Sequence, residues 1–270
     1  MYKNKKYNLL AILVAFCVVL GSFAVLDTQD TYAAAGGKTT IFVPTRIVTN
    51  GGERCAYSCN ISYNKKGLPS VITYGSGMTV RYKYDKKGRL KSFIYKNRGQ
   101  SFDKTKVKVN KKGLIMKTTV SDAWGKRTTT YKRRKNGTIK KTIVKAPGKS
   151  RCVSYFDKYG NRVSDVWTTG KTVDFKATFQ LTLDSTGKIL KQTETEVSKD
   201  YYTNRYSAIT TYTYNNYDSY GNKIKETIYG NYMAKICVTT IQYQPIKVPK
   251  NRVKYVKEFT KNIATVISPD

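Results

Sequence analysis

The stretch Tyr82–Leu90, YKYDKKGRL, decides how this chain folds. Its two tyrosines lie on one face of an extended segment and Lys83 lies on the other, an alternation typical of a half-buried strand. Asp85 follows, and its side chain can accept hydrogen bonds from the amides of a turn. Gly88, three residues later, suits the left-handed conformation that ends a type I turn with a bulge. The stretch therefore predicts a strand and the turn of a β-hairpin.

The same turn recurs along the chain. In six regularly spaced turns Asp or Asn is followed three residues later by Gly, and an Asn-Gly pair that suits a two-residue type I′ turn fills the one gap. Successive turn glycines lie 21 to 34 residues apart, a period typical of repeat arrays. The predicted structural turn residues are Asn64, Gly67, Asp85, Gly88, Asn110, Gly113, Asn136, Gly137, Asp157, Gly160, Asp184, Gly187, Asp218 and Gly221.

A second, looser set of glycine turns lies between these, so the chain reverses about twice per repeat. About fourteen strands are expected, in an array over residues 60–245 that follows one or more lead-in strands over residues 36–59. Twisted open sheets rarely stay flat beyond about ten strands. The sequence therefore predicts an all-β fold, a long antiparallel meander of hairpin repeats in a strongly twisted, curved or partly closed sheet. Residues 246–270 are predicted to form a C-terminal tail, either a strand or a short helix.

Three segments carry a family resemblance. Tyr82–Leu90 resembles the signature of YD repeats, the Rhs-type repeats of bacterial surface proteins and toxins, and Tyr155–Val163 and Tyr217–Ile224 are weaker copies. In that family the repeats form spiralling β-sheet walls, which in large members enclose a C-terminal toxin. The resemblance covers residues 60–245 and implies a β-sheet scaffold on a cell surface. It does not imply an effector enzyme, because only a short tail follows the last repeat.

The first 35 residues predict export. Lys3, Lys5 and Lys6 precede an apolar run from Leu9 to Leu26, and small residues follow at 33–35. This order is typical of a secretory signal peptide. The alternative is a retained N-terminal anchor, since the run is nearly long enough to span a bilayer. No second apolar run follows, so no transmembrane span is expected after cleavage, and we expect a secreted or cell-wall-associated protein of a Gram-positive-type bacterium.

Positive charge dominates the sequence and is unevenly distributed. The formal net charge is +33, with +25 between residues 36 and 150 and +7 between residues 151 and 270. Basic residues cluster at the first four turn tips, which a meander places along one rim, and such a field attracts polyanions. The alternative is that these lysines serve solubility and keep strand edges from pairing. The predicted polyanion-binding residues are Lys65, Lys66, Lys86, Lys87, Arg89, Lys111, Lys112, Arg133, Arg134 and Lys135.

The expected partner is an anionic cell-wall polymer or another polyanion. Nucleic acid fits the charge but is not favoured, because tyrosines beside lysines, which can stack on bases or sugars, more often pack on a sheet face. A different class of function is a carbohydrate-binding or adhesive module that uses the aromatic and hydroxyl-rich sheet surface. Salt separates the two classes, since screening weakens polyanion binding and hardly affects stacking on a neutral sugar.

Enzymatic chemistry is not expected. The chain has no histidine, which excludes nucleophile systems with a histidine base and removes the commonest metal ligand. A carboxylate-dependent glycan-degrading enzyme is the remaining alternative, because Glu194 and Glu196 share one face of a predicted strand. A solvent-exposed strand face is the simpler interpretation of that pair. No cofactor or metal is expected.

Four cysteines follow the predicted signal peptide. In an extended segment Cys55 and Cys59 lie about 13 Å apart, beyond the reach of a disulfide. A bridge would therefore run from one of them to Cys152 or Cys237, and buried free thiols are an equal alternative. The spacing matches a four-cysteine zinc site poorly.

Overall fold

A computed structural model describes residues 32–33, 37–51, 57–97, 100–122, 125–199, 206–230, 236–253 and 256. No helix within these residues is long and apolar enough to cross a membrane. The strands are β1 Tyr32–Ala33, β2 Lys38–Asn50, β3 Tyr57–Tyr63, β4 Pro69–Tyr74, β5 Thr79–Tyr84, β6 Leu90–Asn97, β7 Gln100–Val109, β8 Ile115–Asp122, β9 Gly125–Arg133, β10 Ile139–Lys145, β11 Ser150–Phe156, β12 Arg162–Thr169, β13 Thr172–Leu183, β14 Ile189–Lys199, β15 Tyr206–Tyr217, β16 Lys223–Gly230 and β17 Cys237–Pro249, and a 3₁₀ turn, η1, covers Lys250–Arg252.

Strands β2 to β17 form a closed, antiparallel 16-stranded barrel. Each strand pairs with the next along the chain, and β17 pairs with β2 to complete the ring. The all-β meander is confirmed, and β4 to β17 are fourteen strands, in line with the estimate for the repeat array. The predicted twisted, curved or partly closed sheet is wrong, because the barrel is closed. Complete closure removes the two open edges that such a sheet would expose. The short β1 adds to β2 outside the ring.

The tight turns have the geometry that the sequence predicts. In the first, the side chain of Asn64 accepts hydrogen bonds from the amides of Lys66 and Leu68 at 2.9 and 3.1 Å. The amide of Gly67 donates to the carbonyl of Asn64, and Gly67 has φ of +72°. A Cβ atom there would lie 2.6 Å from Val248, so close packing also requires glycine. Equivalent hydrogen bonds form at the turns that begin with Asp85, Asn110, Asp157, Asp184 and Asp218.

The turn at Asn136 differs from its prediction. The expected two-residue type I′ turn is wrong, because the amide of Gly137 donates to the carbonyl of Arg134 and the amide of Arg134 donates to the carbonyl of Thr138. This is the four-residue turn found elsewhere in the barrel, with Arg134 at the position that Asp or Asn usually occupies. The side chain of Asn136 accepts from the amide of Thr138 instead, at 3.0 Å.

The barrel closes between strands that are distant in sequence. Ile47 lies opposite Ile241, and the hydroxyl groups of Thr49 and Thr239, 190 residues apart, are 2.8 Å from each other. Residues 38–44 of β2 and 243–249 of β17 extend past the β2–β3 and β16–β17 ladders. They pair with each other as a ribbon, to which β1 adds at Thr39 and Thr40. The ribbon packs against the end of the barrel that carries the tight turns.

Contacts on both faces hold this ribbon in place. One face contributes Ile41, Val43 and Val248 to an apolar cluster with Leu68, which follows the first tight turn. The ring of Phe42 on the other face stacks on Tyr220 of the last tight turn, with centroids 4.9 Å apart. The predicted tail begins within the ribbon and continues through η1 and a helical Val253, while residues 257–270 lie outside the described residues.

The barrel interior alternates between apolar and polar sectors. One apolar cluster lies on β2 to β5 and a second on β10 to β13, around Ile72 and Trp167 respectively. Polar side chains fill the inner faces between them, including Thr105 and Thr129 on one side and Thr211 and Thr213 on the other. The predicted signal peptide lies outside the described residues, apart from Tyr32 and Ala33.

Candidate functional site

Eight lysines lie on the outer face of four neighbouring strands, β7 to β10. Buried side chains such as Thr105, Thr129 and Val144 mark the inner face of these strands, and the residues that alternate with them point outward. Seven of the eight lysines are exposed, and Lys141 is half-buried. We call this surface the basic wall, and it consists of Lys104, Lys106, Lys108, Lys117, Lys126, Lys132, Lys141 and Lys145.

The basic wall has no acidic side chain of its own. The described parts of β7 to β10 contain two acids, Asp103 and Asp122, and the register places both on the inner face. Asp122 is paired there with Arg127, while burial, together with the nearby Asp122, raises the pKa of Asp103. Among the described residues, none forms an ion pair with a wall lysine. The positive charge of the wall therefore faces solvent without neutralisation.

Two pairs of wall lysines face each other directly. Lys108 lies opposite Lys117 across β7 and β8, and Lys132 lies opposite Lys141 across β9 and β10. Like charges in such positions destabilise a sheet, and an anion between them relieves the repulsion. The ammonium group of Lys141 also donates a hydrogen bond to the hydroxyl of Tyr155, at 3.2 Å.

The sequence-predicted lysines lie on the rim beside this wall. Lys65, Lys66, Lys86, Lys87, Lys111, Lys112 and Lys135 are all exposed at tight turns. The three predicted arginines are half-buried and hold backbone or turn atoms instead. Arg89 contacts Asp85 at 2.6 Å, Arg133 donates to the carbonyls of Ile115 and Gly137, and Arg134 donates to those of Ile139 and Phe156. The structure thus gives the rim lysines and the rim arginines different surroundings.

A second charged group lies inside the barrel, on β12 and β14. Arg162 is fully buried, 2.7 Å from Asp165 and 3.8 Å from Glu194, with its guanidinium 4.3 Å from the ring centre of Phe179. Burial raises the pKa of Glu194 to about 8, and burial also raises the pKa of Glu196, to which Glu194 is hydrogen-bonded. The interpretation of this pair as a solvent-exposed strand face is therefore wrong, because the closed barrel encloses that face.

The outer face of β14 to β16 carries aromatic rings. Tyr229 stacks on Tyr212 and Tyr214, with centroids 5.1 and 5.7 Å away, and its hydroxyl lies 3.1 Å from that of Tyr214. The ammonium group of Lys191 lies 5.4 Å from the Tyr214 ring. These rings cover one another's faces, so they pack as a ladder on the sheet surface, as aromatic cross-strand pairs do.

The cysteines have two environments. Cys237 is disulfide-bonded, and its partner lies outside the described residues. Cys59 and Cys152 are buried and free, and burial raises the pKa of Cys59 to about 12, which disfavours a reactive thiolate. No group of three or more metal-ligating side chains occurs within the described ranges.

No protein-family model and no curated protein matches this chain. Among solved structures, it is similar to the TcdB2-TccC3-Cdc42 complex, with 14% identity and a TM-score of 0.33, over 75% of this chain and 11% of that one. It is also similar to a porin-like protein from Bacteroides vulgatus, with 11% identity and a TM-score of 0.47, over 75% of this chain and 99% of that one. A porin-like protein from Bacteroides uniformis has 12% identity and a TM-score of 0.44, over 74% and 96% of the two chains.

These likenesses are distant. The chain spans about a tenth of the TcdB2-TccC3-Cdc42 chain and nearly the full length of the two porin-like proteins. All three TM-scores lie below 0.5.

The wall lysines are the functional candidates that the turn-based prediction missed. The signal was present in β7, where Lys106 and Lys108 alternate with Val107 and Val109. That alternation indicates a basic outer face, whereas the turn tips by themselves predict a binding site on the rim alone. The wall adjoins the rim and extends the basic surface along the strands.

Proposed function

We propose that this protein is an exported, non-enzymatic β-barrel that associates with anionic polymers of the cell envelope through the basic wall and the adjoining rim lysines. The observation that carries the proposal is the uncompensated charge of β7 to β10, eight outward lysines with no outward acid. Such a surface concentrates and steers polyanions. The partner we propose is an anionic cell-wall polymer, and the location is outside the cytoplasm, either secreted or bound to the wall.

The arrangement of the lysines supports binding more than solubility. Solubility requires net charge of either sign spread over the surface, whereas here two lysine pairs face each other at a cost in stability. Edge protection does not account for the wall either, because β7 to β10 are interior strands of a closed sheet and have no free edge. A surface that accepts like-charge repulsion without structural need is expected to have an anionic partner.

Co-sedimentation with purified bacterial cell walls tests the proposal. Replacing Lys106, Lys117, Lys126, Lys132 and Lys145 with Gln should abolish most retention at low salt, and retention of the unaltered protein should fall steeply as salt rises, because counter-ions screen the charges. A matched control replaces five lysines elsewhere with the same change in net charge: Lys171, Lys176, Lys199, Lys225 and Lys247.

The rim is tested separately by replacing five of its lysines, Lys65, Lys66, Lys86, Lys87 and Lys111, with Gln, which gives the same change in net charge as the matched control. If the rim contributes, this variant binds more weakly than the matched control. Retention of both the wall variant and the rim variant at the level of the unaltered protein would overturn the proposed function. If the wall variant and the matched control lose the same amount of retention, binding depends on net charge alone and the basic wall is not a specific site.

A further inference from the structure

A patch of hydroxyl groups lies at the centre of the basic wall. Thr119 lies directly opposite Thr128, and Thr130 is the next outward residue after Thr128 on β9. All three side chains are half-buried on the outer face. Their hydroxyl groups have no hydrogen-bond partner described in the structure and are donors available to an anion. We call Thr119, Thr128 and Thr130 the threonine floor.

Lysines surround this floor on all but one side. Lys106 lies opposite Thr119, Lys117 opposite Thr130 and Lys145 opposite Thr128, each on a neighbouring strand. Lys126 and Lys132 precede and follow the two floor threonines of β9 at the same outward alternation. All five lysines are exposed. Ile143, opposite Thr130, completes the ring.

The dimensions of the ring indicate a chain rather than a single ion. From Lys126 to Lys132 the strand extends about 20 Å, and from β7 to β10 the sheet extends about 14 Å. One phosphate or carboxylate group can contact only part of such an area. A flexible polymer that crosses the patch can place successive charges near different lysines while its oxygens accept from the threonines.

The donor types favour phosphate over carboxylate. The planar fork of Arg matches carboxylate and phosphate alike, whereas Lys is a point charge, to which the oxygens of a tetrahedral phosphate can be presented from several directions. The outer face of β7 to β10 carries eight lysines, and the arginines of these strands are directed inward or to backbone carbonyls, as Arg127 and Arg133 show. Resting on the proposed function, we infer that the threonine floor and its lysine ring bind a segment of a linear, phosphate-bearing polymer.

The test measures binding of polyphosphate chains to the purified protein. Replacing Thr119, Thr128 and Thr130 with Val keeps the net charge and the β-branched shape but removes the three hydroxyl donors. We expect the affinity for polyphosphate to fall about tenfold or more, from the loss of hydrogen bonds to charged groups. The slope of affinity against salt should stay unchanged, because the lysines remain. The matched variant with Ser at all three positions keeps the donors and should bind like the unaltered protein.

The outcomes separate this inference from the proposed function. Equal polyphosphate affinity for the Val and Ser variants would overturn the role of the floor, while the lysine variants would still report on polyanion binding. Polyglutamate of matched charge should bind more weakly than polyphosphate, and equal binding would overturn the preference for phosphate. Inorganic phosphate should bind far more weakly than the polymer, and comparable affinity would contradict a site for a chain. Circular dichroism and thermal unfolding confirm that each variant folds.

Discussion

The outer faces of β7–β10 and β14–β16 differ, although the same type of hairpin builds both. The first carries eight lysines around a threonine floor, and the second carries three lysines beside a ladder of stacked tyrosines. Both regions contribute to an ion group inside the barrel, Asp122 with Arg127 in the first and, in the second, Glu194 of β14, which lies near Arg162 and Asp165 of β12. The difference therefore lies in what each region exposes.

Hairpin geometry therefore leaves the outer residues free to vary. Inward side chains must fill the barrel and pair with one another, whereas outward ones need only tolerate water. The tyrosine ladder satisfies its own contacts on the sheet surface. The basic wall leaves its charges unpaired, which is why we place the function there.

The largest expected effect concerns the buried ion group of the second region. Replacing Arg162 with Met leaves Asp165 and Glu194 without their cation in a water-poor site, and loss of one member of such a group costs about 3–5 kcal/mol. Chemical denaturation should show this loss. Replacing the exposed Arg151 with Met is the control and should change stability by less than about 0.5 kcal/mol. A small effect at Arg162 would mean that the interior of this region is wetter than its burial indicates.

The second effect is a dependence of stability on pH. Because the folded-state pKa of Glu194 is raised from 4.5 to about 8, its contribution to stability is fully present below pH 4.5 and is lost as the pH rises through 8. The free energy of unfolding should thus decrease by on the order of 3 kcal/mol between pH 5 and pH 8. Replacing Glu194 with Gln, which resembles the protonated form, should remove most of this decrease. If the free energy of unfolding decreases with pH equally in the unaltered protein and in the Glu194→Gln variant, Glu194 is not the group responsible.

The third effect tests whether the tyrosine ladder is structural. Replacing Tyr229 with Ala removes the central ring of the stack and should cost about 1–2 kcal/mol in thermal or chemical unfolding. Tyr206, which is 60% exposed, is the control and should cost less than about 0.5 kcal/mol. Neither change should alter polyphosphate binding. A loss of binding in the Tyr229 variant alone would extend the functional surface to the second region.

The smallest effect concerns the cost of the basic wall itself. Replacing Lys117 with Thr removes its repulsion with Lys108 and should stabilise the barrel by a few tenths of a kcal/mol, while weakening polyanion binding. Lys106, which faces Thr119, gives the control, because its replacement with Thr removes a charge without relieving a facing pair. If both variants gain the same stability, the facing pair has no special role and only net charge is involved.

Much of the local structure follows from the sequence alone. The Asp or Asn and Gly positions determine the tight turns because their hydrogen bonds and left-handed glycines involve residues no more than four apart. Alternation within each strand likewise indicates which side chains share a face. The same local pattern gives the wrong turn type at Asn136. There Arg134 takes the position of Asp or Asn, and its guanidinium donates to the carbonyls of Ile139 on β10 and Phe156 on β11, contacts that the local pattern does not indicate.

Only the tertiary structure decided what those faces enclose. Closure depends on pairing β2 with β17 across some 190 residues, and no local pattern specifies a contact at that distance. Once the ring closes, the face that bears Glu194 and Glu196 becomes an interior. The lysines of four separate strands likewise become one surface, because strand register brings Lys106, Lys117 and Lys145 around the threonine floor. Local sequence thus specifies the hairpins and the sign of the charge, whereas closure of the sheet specifies where that charge is gathered.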